Sequence, residues 1–443
     1  MSEPDRTQRR RRKEAEADVR ADVGGEADVR ADVGGEADVR ADVRADVSDD
    51  RADRICRATL QYARERGYTG WDYADGLSSA FVQSLPFEHR WLNLLVQEGI
   101  KRAPINLRPL FLVEQRRNYK GAALFVLANL DLFALSGEDQ NALSGEDRYA
   151  REAEKLVEWL LAAEVDGYSG FCGGGHRHPL QSLDRPGAST PGEVAGVVST
   201  SYAVRALLRY AEMFDKPVYA DYARTAAEFV RTDLDFTEIE EGARIDYTTT
   251  GGDSYTLNAN ALGARLLVDL YDRFGDPDLL ADAEAILDYV ATKQTTTGGW
   301  MYTDPPTASH LSMDSYHNGF ILESLLHYRE VTGNGRYDAT IDRARSFYRG
   351  LFRADGAPDW DESSAYPRDV HAAAQGIVTF SYLGEFALAR TIFDWTLENL
   401  YAGDGRFYYQ QRRFYTKRFT LMRWCQAWMA YALSTYLTEK YER

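Results

Sequence analysis

The sequence is poor in cysteine and in long apolar runs, and each shortage excludes a class of protein. Its three cysteines, Cys56, Cys172 and Cys425, are widely spaced and form no CxxC pair, so no disulfide framework is expected. No run approaches the ~20 apolar residues that cross a bilayer, and the N-terminal arginines precede charged residues. We therefore expect a soluble, cytoplasmic protein, for which contact with a membrane-held substrate stays open.

Lysine is scarce as well, and the surface charge is strongly negative. Only 8 of the 52 basic residues are lysine, and the formal net charge is −17. This charge argues against nucleic acid as a partner, because phosphate binding needs the opposite sign. An acidic, lysine-poor surface is typical of a high-salt cytoplasm, where salt screens its self-repulsion. An ordinary acidic protein is the alternative.

Two segments consist of short duplications and predict no chemistry. Residues 1–50 repeat EADVRADVGG and contain no aromatic residue, so we interpret them as a disordered low-complexity tail, with weak partner binding as the alternative. The second duplication, at 134–149, falls in a predicted helix connection, where insertions are tolerated. The remaining residues, 51–443, are predicted to form one α/α-barrel domain.

From residue 118 onward, one unit recurs every 54 to 60 residues: a long loop, a helix, a short turn and a second helix. The apolar spacing i, i+3, i+4, i+7 is helical, and no strand pattern is convincing. These features predict an all-α fold, an (α/α)6 toroid of helical hairpins with long loops on one face; an open α-solenoid is the alternative. The predicted helices are 52–66, 87–99, 118–135, 147–163, 197–214, 217–232, 256–274, 276–293, 315–332, 336–351, 370–384, 385–400 and 418–440.

The long loops share a glycine, then an aromatic residue, then polar residues just before the next helix. Long loops are usually functional, and flat aromatic faces combined with polar side chains match sugar rings. The alternative is that the aromatic residues only plug the end of the barrel. The residues predicted to stack on a sugar are Trp300, Tyr316, Trp360 and Tyr408.

With these loops and hairpins, residues 118–440 resemble the superfamily of (α/α)6-barrel sugar-processing proteins. It includes N-acylglucosamine 2-epimerase-like enzymes, unsaturated glucuronyl hydrolases and the helical domain of glucuronyl C5-epimerases. The chain looks most like haloarchaeal N-glycosylation-pathway proteins that isomerise a hexuronate. The resemblance lies in architecture and loop character and implies a sugar-processing enzyme. No cofactor is expected.

His317 and His371 open two successive inner helices, so both imidazoles should lie at similar depth in the ring. They resemble the paired acid and base histidines of the 2-epimerase-like barrels. Epimerisation removes a proton from one face of a carbon and returns one to the other, and histidine suits both roles near neutral pH. Each histidine is alternatively a helix cap or a core residue.

Acidic residues and a His-x-His spacing offer alternatives to the histidine pair. Asp314 and Asp359 lie near the same mouth, and a glycosidase needs two carboxylates about 5–10 Å apart. Alternatively, they are solvated surface charge. His176 and His178, with Cys172 nearby, have a spacing too weak to predict a zinc site, so no metal is expected.

A basic cluster over residues 412–423 stands out in this acidic chain and suggests an anionic ligand, with ion pairing to acidic loops as the alternative. Arg413 and Arg418 are predicted to hold the anion. The leading hypothesis is an epimerase or isomerase of an acidic sugar, free or lipid- or nucleotide-linked, in glycan assembly. The alternatives are a glycoside hydrolase or lyase and a non-catalytic glycan- or protein-binding toroid.

Overall fold

A computed structural model describes residues 35–84, 89–136, 147–175, 180–181, 189–190 and 194–443. The chain divides between Asp50 and Arg51 into two units. The first described helix begins at Gly35, inside the segment predicted to be a tail, and residues 1–34 lie outside the described residues. Among the described residues, no helix combines the length and the apolar character needed to cross a bilayer.

Helices dominate the described chain, as the sequence predicts. They are α1 Gly35–Glu65, α2 Ala80–Gln83, α3 Arg90–Arg102, α4 Tyr119–Leu135, α5 Asp147–Ala162, α6 Val197–Met213, α7 Pro217–Arg224, α8 Ala226–Glu228, α9 Leu257–Phe274, α10 Pro277–Thr292, α11 Ser315–Thr332, α12 Asp338–Gly350, α13 Val370–Tyr382, α14 Phe386–Leu400 and α15 Trp428–Glu442. Two wider π-helical turns, Phe229–Asp233 and Met422–Ala427, follow α8 and precede α15.

Six helices, α4, α6, α9, α11, α13 and α15, form an inner ring in which each packs against the next. The ring closes because α15 also packs against α4. Inner helices are buried along most of their length, whereas outer helices such as α10 and α12 bury one face, which accounts for their different apolar patterns. The predicted (α/α)6 toroid is therefore confirmed, and closure excludes the open solenoid.

Three local features of the structure differ from the helices that the sequence predicts. The helix predicted at 87–99 is α3, which packs with Val113 in a small separate apolar cluster rather than pairing in the ring. The helix predicted at 217–232 is broken into α7, α8 and a π-turn. The helix predicted to begin at residue 418 begins at Met422, because Thr416–Lys417 pair as a strand.

Short strands join the long loops, although the sequence shows no strand pattern. Strand β5 Tyr255–Thr256 pairs with β6 Thr303–Asp304, and β7 Arg368–Asp369 pairs with β8 Gln410–Gln411, which pairs with β9 Thr416–Lys417. Two residues are too few for an alternating pattern to be recognised. The β5–β6 and β7–β8 pairings each tie the loop before one inner helix to the loop before the next, whereas β8 and β9 pair within a single loop. The other strands are β1 Leu180–Gln181, β2 Ser189–Thr190, β3 Thr237–Ile239 and β4 Gly242–Arg244.

Candidate functional site

The first turns of the inner helices meet the long loops around one cavity. In every segment of the ring, the second helical residue lines this cavity. The six residues are Lys120, Val198, Asn258, Tyr316, His371 and Arg423, the last of which lies in the π-turn that leads into α15. Because backbone N–H groups at helix N-termini carry partial positive charge, this convergence favours a negatively charged ligand.

The cavity has a volume of about 440 Å³, within the range of small-molecule sites (~300–1,000 Å³). Its wall carries five basic side chains, and among the described residues no aspartate or glutamate lines it. The basic residues are Lys101, Arg102, Lys120, Arg412 and Arg423. On a protein of net charge −17, this concentration of positive charge marks the cavity as a site for an anion.

His317 is oriented by a buried carboxylate. Asp314 is the N-cap of α11, and its Oδ1 accepts from the His317 backbone N–H at 2.9 Å. Its Oδ2 lies 2.6 Å from His317 Nδ1, so Nδ1 carries a proton. In the neutral ring, Nε2 is then free to accept a proton, and Asp314 stabilises the charge that develops on the imidazole.

His371 is buried against aromatic rings. Its ring stacks on Tyr316 with centroids 4.7 Å apart and on Trp428 at 4.3 Å, and Trp424 packs edge-on at 4.6 Å. Burial, with the nearby charges of Lys120, Arg423 and His317, holds the pKa of His371 well below its ordinary value. His371 is therefore a neutral imidazole with one donor and one acceptor nitrogen.

Asp369, the N-cap of α13, fixes the backbone that carries His371. Its Oδ1 accepts from His371 N–H at 2.8 Å and from Trp424 Nε1 at 2.7 Å, and its Oδ2 accepts from Gln410 Nε2 at 2.7 Å. Burial raises the pKa of Asp369 to about 6, against the opposing effect of these hydrogen bonds. One carboxyl group thus links three parts of the site: the start of α13, the π-turn that leads into α15, and strand β8.

Several polar atoms on the cavity wall have no hydrogen-bond partner in the described part of the protein. Buried polar groups are normally paired, so a cluster of unpaired donors and acceptors on one wall indicates a polar ligand. The groups are Asn258 Oδ1, His371 Nδ1 and Nε2, Gln410 Oε1, Arg412 Nε and Arg423 Nη2. Arg423 is held in place through its Nε, which donates to both oxygens of Asp72 at 2.8 and 3.0 Å.

Four of the predicted site residues line this cavity: His317, His371, Tyr316 and Trp360. Tyr316 contacts both imidazoles, with its ring centroid 4.3 Å from that of His317, and Trp360 packs edge-on against Tyr316 at 6.0 Å. Asp314 lies behind His317 rather than on the wall. The structure therefore brings the predicted proton-transfer pair together at the start of two adjacent inner helices.

Two predicted stacking residues lie elsewhere. Trp300 is fully buried, and its Nε1 donates to Val290 O at 2.8 Å, which makes it a core residue. Tyr408 packs against the main core, and its backbone N–H donates to Leu400 O at 2.7 Å. Neither residue lines the cavity.

Three predicted charged residues also lie away from the cavity wall. Asp359 pairs with Arg353 at 2.7 Å, so Asp314 and Asp359 do not form a carboxylate pair on the wall. Arg413 is exposed, with its guanidinium 5.3 Å from the Phe414 ring centroid, and Arg418 is exposed beside a different surface depression. The cationic cluster is real, but Arg412 and Arg423 are the members that line the cavity.

The sequence gives Lys120 and Asn258 no predicted role and places Arg423 only in the basic cluster, although a signal for all three was available. Each is the second residue of an inner segment, the same position as His371. Once the helix starts are located, this rule identifies one wall residue per segment. Lys101 and Arg102 give no such signal, because α3 brings them to the cavity from outside the ring.

Metal ligation has no support among the described residues, which contain no group of three or more His, Cys, Asp or Glu side chains arranged to hold an ion. Cys172 is buried, and its thiol donates to Val165 O at 3.3 Å. His176 and His178, considered above with Cys172, lie outside the described residues.

Comparison with known proteins identifies the fold. No family model matches the sequence, and no curated protein matches it. Cellobiose 2-epimerase from Bacillus thermoamylovorans is 13% identical with a TM-score of 0.56, over 72% of this chain and 87% of that chain.

Two further solved structures share the architecture. A sugar epimerase from a ruminal bacterium is 12% identical with a TM-score of 0.56, over 73% of this chain and 87% of that chain. An α-mannanase of glycoside hydrolase family 76 from Bacteroides thetaiotaomicron is 14% identical with a TM-score of 0.54, over 73% and 86%. At these identities the similarity establishes the shared toroidal fold.

Proposed function

We propose that this protein is a sugar epimerase or isomerase that acts on an acidic sugar. Proteins that share its fold are described as epimerases and as a glycosidase, so the fold alone does not choose between these reactions. The observation that carries the proposal is the composition of the wall: three imidazoles, those of His310, His317 and His371, line the cavity, and no described carboxylate does.

The reaction that suits this wall is proton transfer at a carbon next to a carbonyl or carboxylate group. His371 is neutral at working pH and so is able to accept a proton. His317 has its Nδ1 on Asp314, which stabilises the ring when it gains a proton at Nε2. The two histidines then act as a pair, one removing a proton from the sugar and the other returning one.

The positive charge supports an anionic substrate. Arg412 and Arg423 both have a buried nitrogen without a described partner, and six helical segments begin around the same cavity. A hexuronate offers a carboxylate for these groups, and Tyr316 and Trp360 offer apolar faces to the sugar ring. Whether that hexuronate belongs to a glycan under assembly stays a prediction.

The runner-up, a glycoside hydrolase, requires two carboxylates at the scissile bond. Glu323, the buried glutamate of α11, accepts from Thr379 Oγ1 at 2.8 Å and lies on a different cavity. Asp314 is engaged by His317. A hydrolase would therefore need an acid and base other than the described wall residues.

Incubation with D-glucuronate or another hexuronate in deuterated water tests the proposal. We expect solvent deuterium at a ring carbon, detected by NMR, without cleavage of any glycosidic bond. New reducing ends released from a uronate-containing oligosaccharide would instead establish a hydrolase. Neither change across a panel of uronates and neutral hexoses would favour a binding protein.

A further inference from the structure

Lys120 is a lysine without a counterion on the wall of the cavity. It is the second residue of α4, and its Nζ lies 5.6 Å from the Trp428 ring centroid and 6.0 Å from that of Phe320. Within the described ranges no carboxylate pairs with it and no acceptor takes a hydrogen bond from it. A lysine held among aromatic rings in this way loses the partners that normally keep it protonated.

The charged groups around Lys120 favour the free amine. The positive charge of Arg423 acts on Lys120, while Asp72, the carboxylate whose charge also acts on it, is engaged by Arg423 Nε. Burial, together with Arg423, lowers the pKa of Lys120 to about 7, despite the opposing effect of Asp72. His317, Lys101, Arg102 and Arg412 also line this cavity and add no negative charge. Near neutral pH, a substantial fraction of Lys120 is therefore an uncharged nucleophile.

Lys101 provides a contrast on the same wall. Its Nζ pairs with Glu98 Oε1 at 3.2 Å and lies 5.0 Å from the Tyr73 ring centroid. Burial lowers the pKa of Lys101, but Tyr73 and Glu98 outweigh burial and leave the pKa above its ordinary value. Lys101 therefore remains a cation that suits a carboxylate, while Lys120 has the protonation state of a nucleophile.

The amine and the neutral imidazole border the same space. His371 stacks on Trp428 at 4.3 Å and lies 5.9 Å from Phe320, so it shares with Lys120 the two rings that flank the amine. A small ligand held at these rings can contact both groups. This juxtaposition of an amine that attacks carbonyls with a base that removes an adjacent proton has a specific chemical use.

We propose that Lys120 forms an imine with the aldehyde carbon of a reducing sugar acid in its open-chain form. The Nζ lone pair attacks C1, the C–O bond breaks, and the carbonyl oxygen leaves as water. For the subsequent epimerisation at C2, which rests on the function proposed above, His371 removes the proton from C2 and the electron pair flows to the protonated imine nitrogen. Return of a proton to the opposite face of C2 regenerates the imine, and addition of water then releases the 2-epimer and restores the amine.

The imine narrows the substrate class. A sugar linked through C1 to a nucleotide or lipid has no free aldehyde and cannot react with Lys120. The substrate would therefore be a reducing aldouronate, with its aldehyde at Lys120 and its carboxylate held by cationic wall residues such as Arg412. Carrier-linked sugars are excluded by this chemistry.

Reductive trapping tests the inference on the full-length protein. We expect sodium cyanoborohydride and D-glucuronate at pH 7 to attach one sugar to Lys120, located by peptide mass mapping. Modification of Lys101 should be at least ~10³-fold slower, because its raised pKa leaves less than about 0.1% of its amine unprotonated at pH 7. Methyl glucuronide, with C1 blocked, should give no adduct. The rate at Lys120 should rise as the pH increases through about 7.

Matched variants complete the test. Lys155→Met, at an exposed lysine away from the cavity, should keep the adduct at Lys120, while Lys120→Arg should abolish it and lower turnover by about 10²-fold, with the melting temperature as the check on folding. Equal trapping at Lys120 and Lys101, or wild-type turnover in Lys120→Arg, would overturn the inference. Deuterium exchange without trapping would refute the imine and leave the epimerase proposal intact. Trapping without deuterium exchange would support the imine and refute the epimerase proposal.

Discussion

At the residue scale, the most informative side chain is His371. It is buried among aromatic rings, and neither ring nitrogen has a hydrogen-bond partner among the described residues. A buried core histidine normally satisfies at least one nitrogen. The structure therefore favours the ligand-facing interpretation of His371 over the helix-cap or core alternative that its sequence position allows.

His317 and His371 are expected to act as one unit. Replacing either by Ala should lower turnover of a uronate by about 10²–10⁴-fold, because general acid and base catalysis is lost. The double variant should lose little more than the worse single variant, since the steps depend on each other. Deuterium wash-in followed by NMR measures this, and full activity in one single variant would remove that histidine from the mechanism.

Arg412 and Arg413 form an adjacent pair in which only the first lines the cavity. Changing Arg412 to Gln should weaken binding of D-glucuronate by about 1.5–3 kcal/mol, the value of a hydrogen bond to a charged group. Arg413→Gln and Arg418→Gln are the matched controls and should bind like the wild type. Titration calorimetry with D-glucuronate and neutral D-glucose decides the matter: equal losses for both sugars would contradict the anion assignment.

At the scale of elements, three inner helices, α4, α11 and α13, have a side-chain N-cap that fixes the first turn, and in each of them the second residue faces the cavity, as Asp369 and His371 illustrate. The short loop strands hold neighbouring starts in register, since β7 ends at Asp369 and pairs with β8 at Gln410. The site is therefore formed by rigid helix termini rather than by loop tips.

Asp369 makes a pH dependence of stability testable. Its pKa is about 6 in the folded protein and ~3.9 when unfolded, so the folded state binds more protons between these values. Stability from this group is present at low pH and is lost as pH rises through about 6. Relative to wild type, Asp369→Asn should gain on the order of 1–3 kcal/mol of unfolding free energy between pH 4 and 7.

Urea unfolding of both proteins at several pH values measures this difference. Asn is a good helix N-cap and Gln410 has an unpaired Oε1 that can accept from the new amide, so the variant should fold. Parallel pH profiles for the two proteins would contradict the prediction, because they would show that folding does not raise the pKa of Asp369.

At the scale of the whole molecule, the ring closes at a seam, defined as the contact of α15 with α4. The outer helix α1 packs at this seam. Cys56 of α1 is buried and donates to Ala430 O at 3.5 Å in α15, and Leu60 is also fully buried. The seam thus joins segments near the beginning and the end of the sequence. Residues 51–65 contribute to the barrel, whereas 1–50 belong to the other unit.

Two truncations separate these contributions. Removing residues 1–50 should leave the melting temperature nearly unchanged, because this segment has no aromatic residue and little apolar surface. Removing residues 1–66 also deletes Cys56 and Leu60 and should cost several kcal/mol, at about 1.5–3 kcal/mol for each large apolar side chain. Calorimetry on both truncations is the measurement, and a loss of several degrees in the shorter deletion would contradict the interpretation of the tail.

The sequence by itself determined the repeated hairpin, the order of the inner helices and the first-turn positions of His317 and His371. These features depend on local patterns: the 3.6-residue period, short turns and capping residues such as Asp314. Adjacent inner helices in a closed ring present equivalent positions to the same space, which is why two histidines 54 residues apart in sequence met.

Only the tertiary structure decided which loop side chains reach the cavity. Trp300 turns into the core and Arg413 into solvent, while Arg423 is aimed inward by Asp72, which lies 351 positions earlier in the sequence. Likewise, the low pKa of Lys120 arises from burial and from Arg423 across the seam. Such contacts depend on how distant loops are paired and on where the ring closes, and neither leaves a periodic signal in the sequence.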